Sequence, residues 1–239
     1  MSVFAISDLH LSVNNPSKAM DAFGNRWKDY QTKIYENWNK VVSTDDTVII
    51  PGDISWGSSL QGSIEDLRFL NSLPGKKIIS KGNHDFWWST ASKLTAFFEE
   101  EKLSTLSIIN NNATIAENYI ITGTRGWFSD PSSQNTAQPT DFNKIVNRES
   151  IRLNLALSEA ARLKEEHNDK EILVFFHFPP KWGEFCDEAT FDTLTRFGIK
   201  KCYFGHIHGC YNIPDKQIYR EIELNMISAD YLNFIPKLI

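Results

Sequence analysis

The sequence predicts an α/β fold with a mainly parallel sheet, and two observations lead to this prediction. Through the first hundred residues, short apolar runs of strand length alternate with longer segments that carry apolar residues at helical spacing. Strands alternating with helices of this length are typical of βαβ units. The second observation concerns length: 239 residues without a Gly/Ser-rich or Pro-rich linker fit one large domain. We therefore expect a single domain that spans residues 1–239.

Each element of the N-terminal part has its own apolar pattern. The runs at Val3–Ser7, Thr47–Pro51 and Lys77–Ser80 are short and bounded by polar loops, which indicates buried strands. Apolar residues recur on about one face of the intervening segments, as in Ile34 and Trp38 of the first. These segments predict helices at Gln31–Val42, Gln61–Leu73 and Thr90–Glu101.

The middle of the chain changes character. Ser107–Asn110, Thr114–Ala116 and Asn118–Thr122 are short strands separated by turns that contain Asn or Glu, a pattern typical of antiparallel pairing. The polar stretch Ser129–Asp141 follows, with two prolines and no hydrophobic period. It is either a surface loop or the rim of an active site, since loops of this length are usually functional or disordered.

The last part of the chain returns to long elements. The longest helix is predicted from Asn147 to His167, with Leu153, Leu157 and other apolar residues on one face. Glu171–Phe176 and Lys201–Phe204 are predicted strands, followed by several short strands near the C-terminus.

Charge and composition exclude several classes of protein. The formal charge is −5, from 25 basic and 30 acidic residues without a long block of either sign, which gives no support to a general nucleic-acid-binding surface. The three cysteines are too few for a disulfide framework and indicate a reducing compartment. The N-terminus lacks the pattern of a signal peptide, and no apolar run approaches the roughly 20 residues of a spanning helix. We expect a cytoplasmic protein that does not bind membranes.

Residues of metal-ligand type follow the predicted strands. Neutral imidazoles and carboxylates suit Zn, Mn and Fe. Because ligands bind at the carboxyl ends of strands in open α/β sheets, we expect these side chains to gather at one sheet edge. They occur in the segments SDLH, PGD, KGNHD, FFHFPP and FGHIHG, and are Asp8, His10, Asp53, Asn83, His84, Asp85, His177, His206 and His208.

Each segment taken alone also has a simpler interpretation. Asp8 can cap a loop, Asp53 can stabilise a turn after Pro-Gly, and His177 can be a hydrogen-bonded core residue. His206 and His208 are different, because two histidines flanked by glycines make a poor core and a good ligand pair. The ordered set is therefore more informative than its members.

In this order, the five segments resemble the signature of the calcineurin-like metallophosphoesterases, which is D-x-H, G-D, G-N-H-D, a lone H and G-H-x-H. The resemblance spans positions 8 to 208. It implies a four-layer α/β/β/α sandwich, in which two mixed sheets pack face to face between flanking helices. It also implies two metal sites bridged by Asp53, one formed by Asp8, His10, Asp53 and His208 and the other by Asp53, Asn83, His177 and His206.

The sequence departs from one branch of that family. Protein Ser/Thr phosphatases carry an arginine shortly after G-D and end the third motif in Glu. Here Asp53 is followed by Ile54-Ser55-Trp56-Gly57, and the third motif ends in Asp85. The chain therefore resembles the bacterial-type phosphoesterases, and the phosphate of its substrate lacks the usual arginine clamp.

The resemblance implies a reaction as well. Two divalent ions, of Mn, Fe, Zn or Ni, would activate a bridging hydroxide that attacks a phosphomonoester or phosphodiester. His84 is the expected general acid, and Asp85 is its expected orienting partner. The substrate is expected to be a small phosphorylated metabolite or nucleotide.

Two arginines are candidate substrate-binding residues. Arg26 lies in the aromatic-rich segment Asn14–Tyr30, and Arg125 opens the long polar stretch. Either segment forms a pocket wall or is ordinary packing under a loop. Two other functions stay open: a metal-dependent nuclease, which would need a positive stripe beside the metals, and a non-catalytic metal-binding scaffold, which the presence of His84 and every ligand disfavours.

Overall fold

The computed structural model describes residues 1–127, 139–214 and 216–239, and the backbone alone for 139–143. In this part of the chain the helices are α1 (Tyr30–Val41), α2 (Ile64–Ser72), α3 (Ala91–Glu100), α4 (Pro139–Glu166) and α5 (Glu188–Arg196). The strands are β1 (Val3–Ala5), β2 (Thr47–Pro51), β3 (Lys76–Ser80), β4 (Leu106–Ile108), β5 (Ala113–Ala116), β6 (Tyr119–Thr124), β7 (Glu171–Phe176), β8 (Lys181–Trp182), β9 (Phe185–Cys186), β10 (Lys201–Phe204), β11 (Gln217–Tyr219), β12 (Ile222–Met226) and β13 (Lys237–Leu238).

Two sheets form the centre of the fold, and both are mixed. The first has the order β13-β1-β2-β3-β4, with parallel pairing from β1 to β4 and antiparallel pairing at β13. The second has the order β11-β12-β10-β7-β6-β5, in which β11 and β5 pair antiparallel at the two edges. The antiparallel pairing predicted for the middle of the chain is therefore confirmed for β5 and β6 and is wrong for β4, which pairs parallel with β3.

Alternation along the strands creates three apolar layers. Side chains from both sheets meet between them, where Ala5 and Ile49 of the first sheet share a cluster with Leu173 and Phe175 of the second. The opposite faces pack against helices, as the 3.6-residue spacing predicts. The outer clusters join Phe4, Val48, Ile34, Trp38, Leu67 and Leu94 on one side, and Val174, Phe176, Leu153, Leu157, Phe191 and Leu194 on the other. The four-layer sandwich implied by the resemblance is confirmed.

Helix boundaries follow local capping. Thr90 precedes α3 and its side chain accepts a hydrogen bond from the Lys93 amide, and Asp187 does the same for the Thr190 amide at α5. The three N-terminal helices begin and end within three residues of the predicted positions. Helix α5 was not predicted, because its short length gives a weak periodic signal.

The longest helix corrects one prediction. It begins at Pro139, eight residues before the expected Asn147, so 139–141 of the predicted loop Ser129–Asp141 are helical. Proline is tolerated in the first turn, where its missing N–H would be unpaired anyway. Residues 129–138 of that loop lie outside the described residues. That residues 1–239 form a single domain stays a prediction.

None of the helices in the described part of the chain combines the length and apolar character needed to cross a membrane.

Candidate metal centre

The residues of metal-ligand type converge at the carboxyl ends of strands from both sheets. Asp8 and His10 follow β1, Asp53 follows β2, His177 follows β7, and the His206 segment follows β10. Two groups of three have ligand atoms within 4.8 Å of one another: Asp8, His10 and His208 in one, and Asp53, His177 and His206 in the other. The convergence predicted from strand ends is thus found in the structure.

The first group, Asp8, His10 and His208, is held in place by the carboxylate of Asp230, which is not a member of the group. His10 Nε2 lies 3.3 Å from His208 Nε2, which is 3.8 Å from Asp8 Oδ1. His208 Nδ1 donates a hydrogen bond to Asp230 Oδ1 at 2.9 Å. That bond fixes the proton on Nδ1 and leaves the Nε2 lone pair free to bind a cation.

The second group is arranged around His177. Its Nε2 lies 2.6 Å from Asn83 Oδ1 and 3.5 Å from Asp53 Oδ2. Its Nδ1 lies 3.2 Å from the carbonyl oxygen of Pro51, an acceptor for the ring proton. The ring of His206 is 5.2 Å from that of His177.

Asp53 lies between the two groups. Its Oδ2 atom is 3.7 Å from His10 Nε2 and 3.5 Å from His177 Nε2, and it is buried without a hydrogen-bond partner. An unpaired buried carboxylate oxygen is costly, and the cost is removed when a cation binds to it. The nitrogen and oxygen donors around it suit divalent transition metals. These residues therefore fit two cations with one shared carboxylate.

Four residues of the centre have strained backbones. Asp8, His10, Asp53 and His206 have φ angles of 60°, 46°, 51° and 69°, in the left-handed region that is sparsely populated by residues other than glycine. Strain of this kind persists only where the surrounding structure enforces it, and it is concentrated at functional sites.

Two glycines allow the strand-end turns to approach one another. A Cβ atom at Gly82 would lie 2.1 Å from Asp53 Oδ1, and one at Gly205 would lie 2.3 Å from Asp8 Oδ2. Any side chain at either position would displace a carboxylate of the centre. The glycines that precede Asn83 and His206 are thus required by close packing.

Asp85 connects two turns. Its carboxylate accepts hydrogen bonds from the amides of Asp53, Ile54 and Gly82 at 2.8 to 2.9 Å, and from the indole of Trp87 at 2.9 Å. The predicted pairing of Asp85 with the ring of His84 is not present. Because its oxygens are saturated by these donors, the carboxylate positions the Asp53 turn, and no oxygen remains to orient the imidazole.

Burial sets the protonation of the centre. Desolvation lowers the pKa values of His10 and His177 well below the ordinary value and that of His206 to about 4, so all three imidazoles are neutral at pH 7. Desolvation also raises the pKa of Asp8 to about 6, and desolvation together with the charges of Asp85 and Asp8 raises that of Asp53. Bound cations would reverse the effect on both carboxyl groups.

His208 is the exception among the histidines. Burial lowers its pKa, but the hydrogen bond to Asp230 and the charge of Asp8 outweigh burial, and the net shift is upward. For Asp230, burial raises the pKa, but the hydrogen bond and charge of His208, together with the hydrogen bonds from Gly209 and Tyr211, outweigh burial and the net shift is downward. Without a cation, these shifts favour a proton on His208, and a cation bound at Nε2 would replace that proton.

His84 faces an aromatic cavity beside the two groups. Its ring centre is 5.6 Å from that of His10 and 4.6 Å from that of Trp56, which in turn stacks on His10 at 4.9 Å. Burial, followed by the charge of His208, lowers the pKa of His84. The cavity has a volume of about 450 Å³, and its lining includes Met20, Phe23, Trp27, Trp56 and Tyr211.

The two predicted substrate-binding arginines have different surroundings. The guanidinium of Arg26 donates hydrogen bonds to the carbonyls of Asp230 at 2.8 Å and Tyr231 at 3.4 Å, and lies 4.8 Å from the ring centre of Tyr211. It therefore braces the segment after β12 and is not among the metal-ligand groups. Arg125 follows β6, and its carbonyl accepts hydrogen bonds from the amides of His177 and Phe178 at 3.2 and 2.9 Å.

Sequence reasoning missed Asp230. This residue is separated from His208 by 22 positions and belongs to no motif of the resemblance. The signal that could have found it is the one used for the other ligands, because Asp230 is a carboxylate shortly after the apolar strand β12. Trp56 was noted only as one of the residues that follow Asp53, and its stacking on His10 was not predicted.

Comparison with known proteins finds a family model that matches most of the chain and curated relatives that match part of it. Residues 1–210 match the family model of the calcineurin-like phosphoesterases. The gene 66 proteins of Mycobacterium phages L5 and D29 are 41% identical over 58 residues and 33% identical over 84 residues. Those matches cover 24% and 35% of this chain, and the chain spans only 28% and 40% of the length of these curated relatives.

A solved structure shares the fold. The phosphopantetheinyl hydrolase PptH from Mycobacterium tuberculosis is 15% identical, with a TM-score of 0.54, over 100% of this chain and 95% of that chain. At this identity the likeness concerns the fold alone.

Proposed function

The chain belongs to the calcineurin-like phosphoesterase family, and we propose that it hydrolyses phosphoesters of small molecules at a centre of two divalent cations. Family membership supports metal-dependent phosphoester hydrolysis. The observation that carries the two-cation proposal is the position of Asp53, whose unpaired Oδ2 lies within 3.7 Å of an imidazole nitrogen from each group.

The proposed ligand sets follow the geometry. Bound divalent cations would supply Lewis acidity, lower the pKa of water and neutralise the charge of the reacting phosphate. Asp53 would contact both cations. Asp8, His10 and His208 complete the first set, and Asn83, His177 and His206 complete the second.

His84 is the proposed proton donor to the leaving group. Its ring lies beside His10 and opens into the 450 Å³ cavity, so a leaving oxygen at the centre would face it. Its amide donates to Asp53 Oδ1 at 2.7 Å, which fixes the backbone of the proton donor to the shared carboxylate. Trp56 covers one side of the ring and restricts its orientation.

The aromatic cavity supports a small substrate with a flat or apolar leaving group. Phe23 and Tyr211 are exposed at its mouth, while Trp27 is buried at its base. Rings of this kind stack on nucleobases and other planar groups. A nucleotide or a phosphorylated metabolite with an apolar part fits this lining better than a plain sugar phosphate.

A cytoplasmic location is part of the same proposal. Cys186, Cys202 and Cys210 are all free thiols, which supports a reducing compartment.

An assay of metal-reconstituted protein tests the function. The purified chain would be loaded separately with Mn, Fe, Zn or Ni and given phosphomonoesters, linear diesters, cyclic nucleotides and single-stranded DNA. We expect hydrolysis of small phosphoesters with at least one metal. Absence of turnover on every substrate, with two metals bound per chain, would instead support the non-catalytic scaffold.

A further inference from the structure

A second cavity beside the metal centre is lined by basic residues. It has a volume of about 400 Å³, and its lining includes Lys81, Arg125, Arg148, Glu149 and Arg152. Among its described lining residues, four cations thus face one carboxylate. The mechanism proposed above uses none of these five side chains.

The cavity adjoins the metal centre at the strand ends. Lys81 follows β3 and precedes the turn that carries Asn83, and Arg125 follows β6. The guanidinium carbon of Arg125 lies 6.0 Å from the ring centre of Phe178, and that ring is 4.4 Å from the ring of His206. One aromatic ring therefore separates the basic cavity from a proposed metal ligand.

Helix α4 supplies the other charges. Arg148 and Arg152 are four residues apart and share a face of the helix. Both pair with Glu149 Oε1, at 3.7 and 2.6 Å, and Arg125 approaches the same atom at 3.9 Å. The other oxygen of Glu149, Oε2, makes no hydrogen bond. Three guanidinium groups thus share one carboxylate oxygen, which cannot neutralise them.

Arg125 also has a hydrogen-bond donor that lacks a partner among the described residues. Its Nε atom is buried and makes no hydrogen bond within the described chain, and its side chain is 19% exposed. A guanidinium held in this way has a high cost of desolvation unless an anion pairs with it. Guanidinium groups match the oxygens of phosphate in a bidentate geometry.

We propose that this basic cavity binds a second phosphate group of the substrate while the first phosphate lies at the metal centre. The inference that this phosphate belongs to the same molecule as the reacting phosphate rests on the proposed hydrolase function. The binding of phosphate by the cavity does not depend on it. The preferred substrate is then a small molecule with two separated phosphates.

The distribution of charge favours a single phosphate over a nucleic-acid backbone. On the other side of the centre, the aromatic cavity has no Lys or Arg among its described lining residues. A third cavity, next to Trp56, carries Lys18 together with Glu65 and Asp66. A groove that follows a polymer needs a continuous basic stripe, and of these three cavities one alone has an excess of basic over acidic residues in its described lining.

Titration of the 239-residue chain with inorganic phosphate, after removal of metals by chelation, tests the cavity directly. We expect one binding event that weakens roughly tenfold or more in Arg148→Gln/Arg152→Gln. Glu149→Gln removes the competing carboxylate and should strengthen binding. Arg162→Gln is the matched control, since Arg162 lies on the same helix and pairs with Glu159 and Glu166 on the surface.

If the double variant does not fold, Arg148→Gln alone retains the close pair between Arg152 and Glu149 and should still weaken binding. Absence of phosphate binding, or equal affinity in the wild type, the arginine variants and Glu149→Gln, would overturn the proposal. Unfolding of Glu149→Gln without a gain in affinity of the folded fraction would likewise assign the cluster a purely structural role.

Turnover by the metal-loaded enzyme tests the substrate class. Butane-1,4-diol and hexane-1,6-diol bisphosphates would be compared with butyl and hexyl phosphates. We expect a lower KM for the bisphosphates, with the advantage reduced in Arg148→Gln/Arg152→Gln and retained in Arg162→Gln.

Turnover without any such preference overturns the second-phosphate proposal and leaves the hydrolase function intact. If no phosphoester is hydrolysed, the hydrolase function fails, and the titration still decides whether the cavity binds phosphate. A preference for single-stranded DNA that the double variant abolishes would instead assign the cavity to a polymer backbone.

Discussion

Asp53 Oδ2 lies 3.5 Å from His177 Nε2, is buried, and accepts no hydrogen bond from any described residue. Two ligand-type atoms that face each other without a hydrogen bond between them are the expected geometry of a cation site. The amides of the turn that carries Asp53 donate to Asp85, and the other carboxylate oxygen of Asp53 accepts a hydrogen bond from the His84 amide, so both the backbone and the side chain of Asp53 are held in place. The predictions below follow from this arrangement.

Asp230→Asn should weaken one metal site without abolishing the other. The carboxylate accepts the Nδ1 proton of His208, and outer carboxylates of this kind typically change metal affinity by about 10- to 100-fold. Metal titration with elemental analysis would measure the loss. Tyr211→Phe is the control, because it removes only the 3.2 Å hydroxyl contact to Asp230 and should leave both sites filled. Unchanged affinity in Asp230→Asn would show that His208 does not need this carboxylate.

Gly82→Ala should destabilise the fold and the centre together. The new Cβ would lie 2.1 Å from Asp53 Oδ1, and overpacking of this kind costs about 3 kcal/mol. Urea unfolding and metal content would both be measured. Gly62→Ala is the matched control, since its nearest neighbour would be the flexible Ser59 hydroxyl at 3.2 Å. Wild-type stability of Gly82→Ala would contradict the close approach of the two turns.

His84→Ala should spare metal binding and slow only the chemical step. Loss of a general acid costs about 10² to 10⁴ in rate, and the cost is largest for poor leaving groups. The ratio of turnover on phenyl phosphate to turnover on p-nitrophenyl phosphate should therefore fall in the variant. An unchanged ratio would exclude His84 as the proton donor.

Stability should rise with pH between about 8 and 10.5 because of Lys77. Burial lowers the pKa of this lysine to about 8, so in this interval the unfolded chain binds more protons than the folded chain. The free energy of unfolding should rise by on the order of 3 kcal/mol. The full rise is reached above the pKa of this lysine in the unfolded chain, and none of it is present below pH 8. Urea unfolding at pH 7 and pH 10 would measure it. Lys77→Met should remove this contribution, and an identical pH dependence in the variant would refute the assignment.

The sequence predicted the parts of the fold and site that follow from strand ends. Asp8, Asp53 and His177 each follow an apolar strand, and parallel pairing brings strand ends to one edge. Left-handed backbones at Asp8 and Asp53 could not be foreseen, because their backbone amides donate to groups that are distant in sequence, the Gly52 carbonyl and the Asp85 carboxylate. The same limit applies to Asp230, which approaches His208 only through the packing of the segment after β12.

Other errors have local causes. Asp85 was expected to orient His84 because carboxylates outside a metal site commonly orient imidazoles, but the structure turns its carboxylate towards the amides of another turn. The start of the longest helix was placed late because its first residues, Pro139 to Asp141, continue the polar stretch that begins at Ser129. Arg148 and Arg152 of this helix were not singled out, because they form a basic cavity only together with Arg125, which is close in space and distant in sequence.

The most direct test of the account is the metal content and activity of Asp53→Asn. The account predicts two cations per wild-type chain, and in the variant the loss of the shared ligand should remove metal loading and phosphoester hydrolysis together. The measurement is elemental analysis after reconstitution, paired with turnover of the best substrate and with circular dichroism to confirm folding. An Asp53→Asn protein that binds two metals and turns over at the wild-type rate would contradict the two-cation centre.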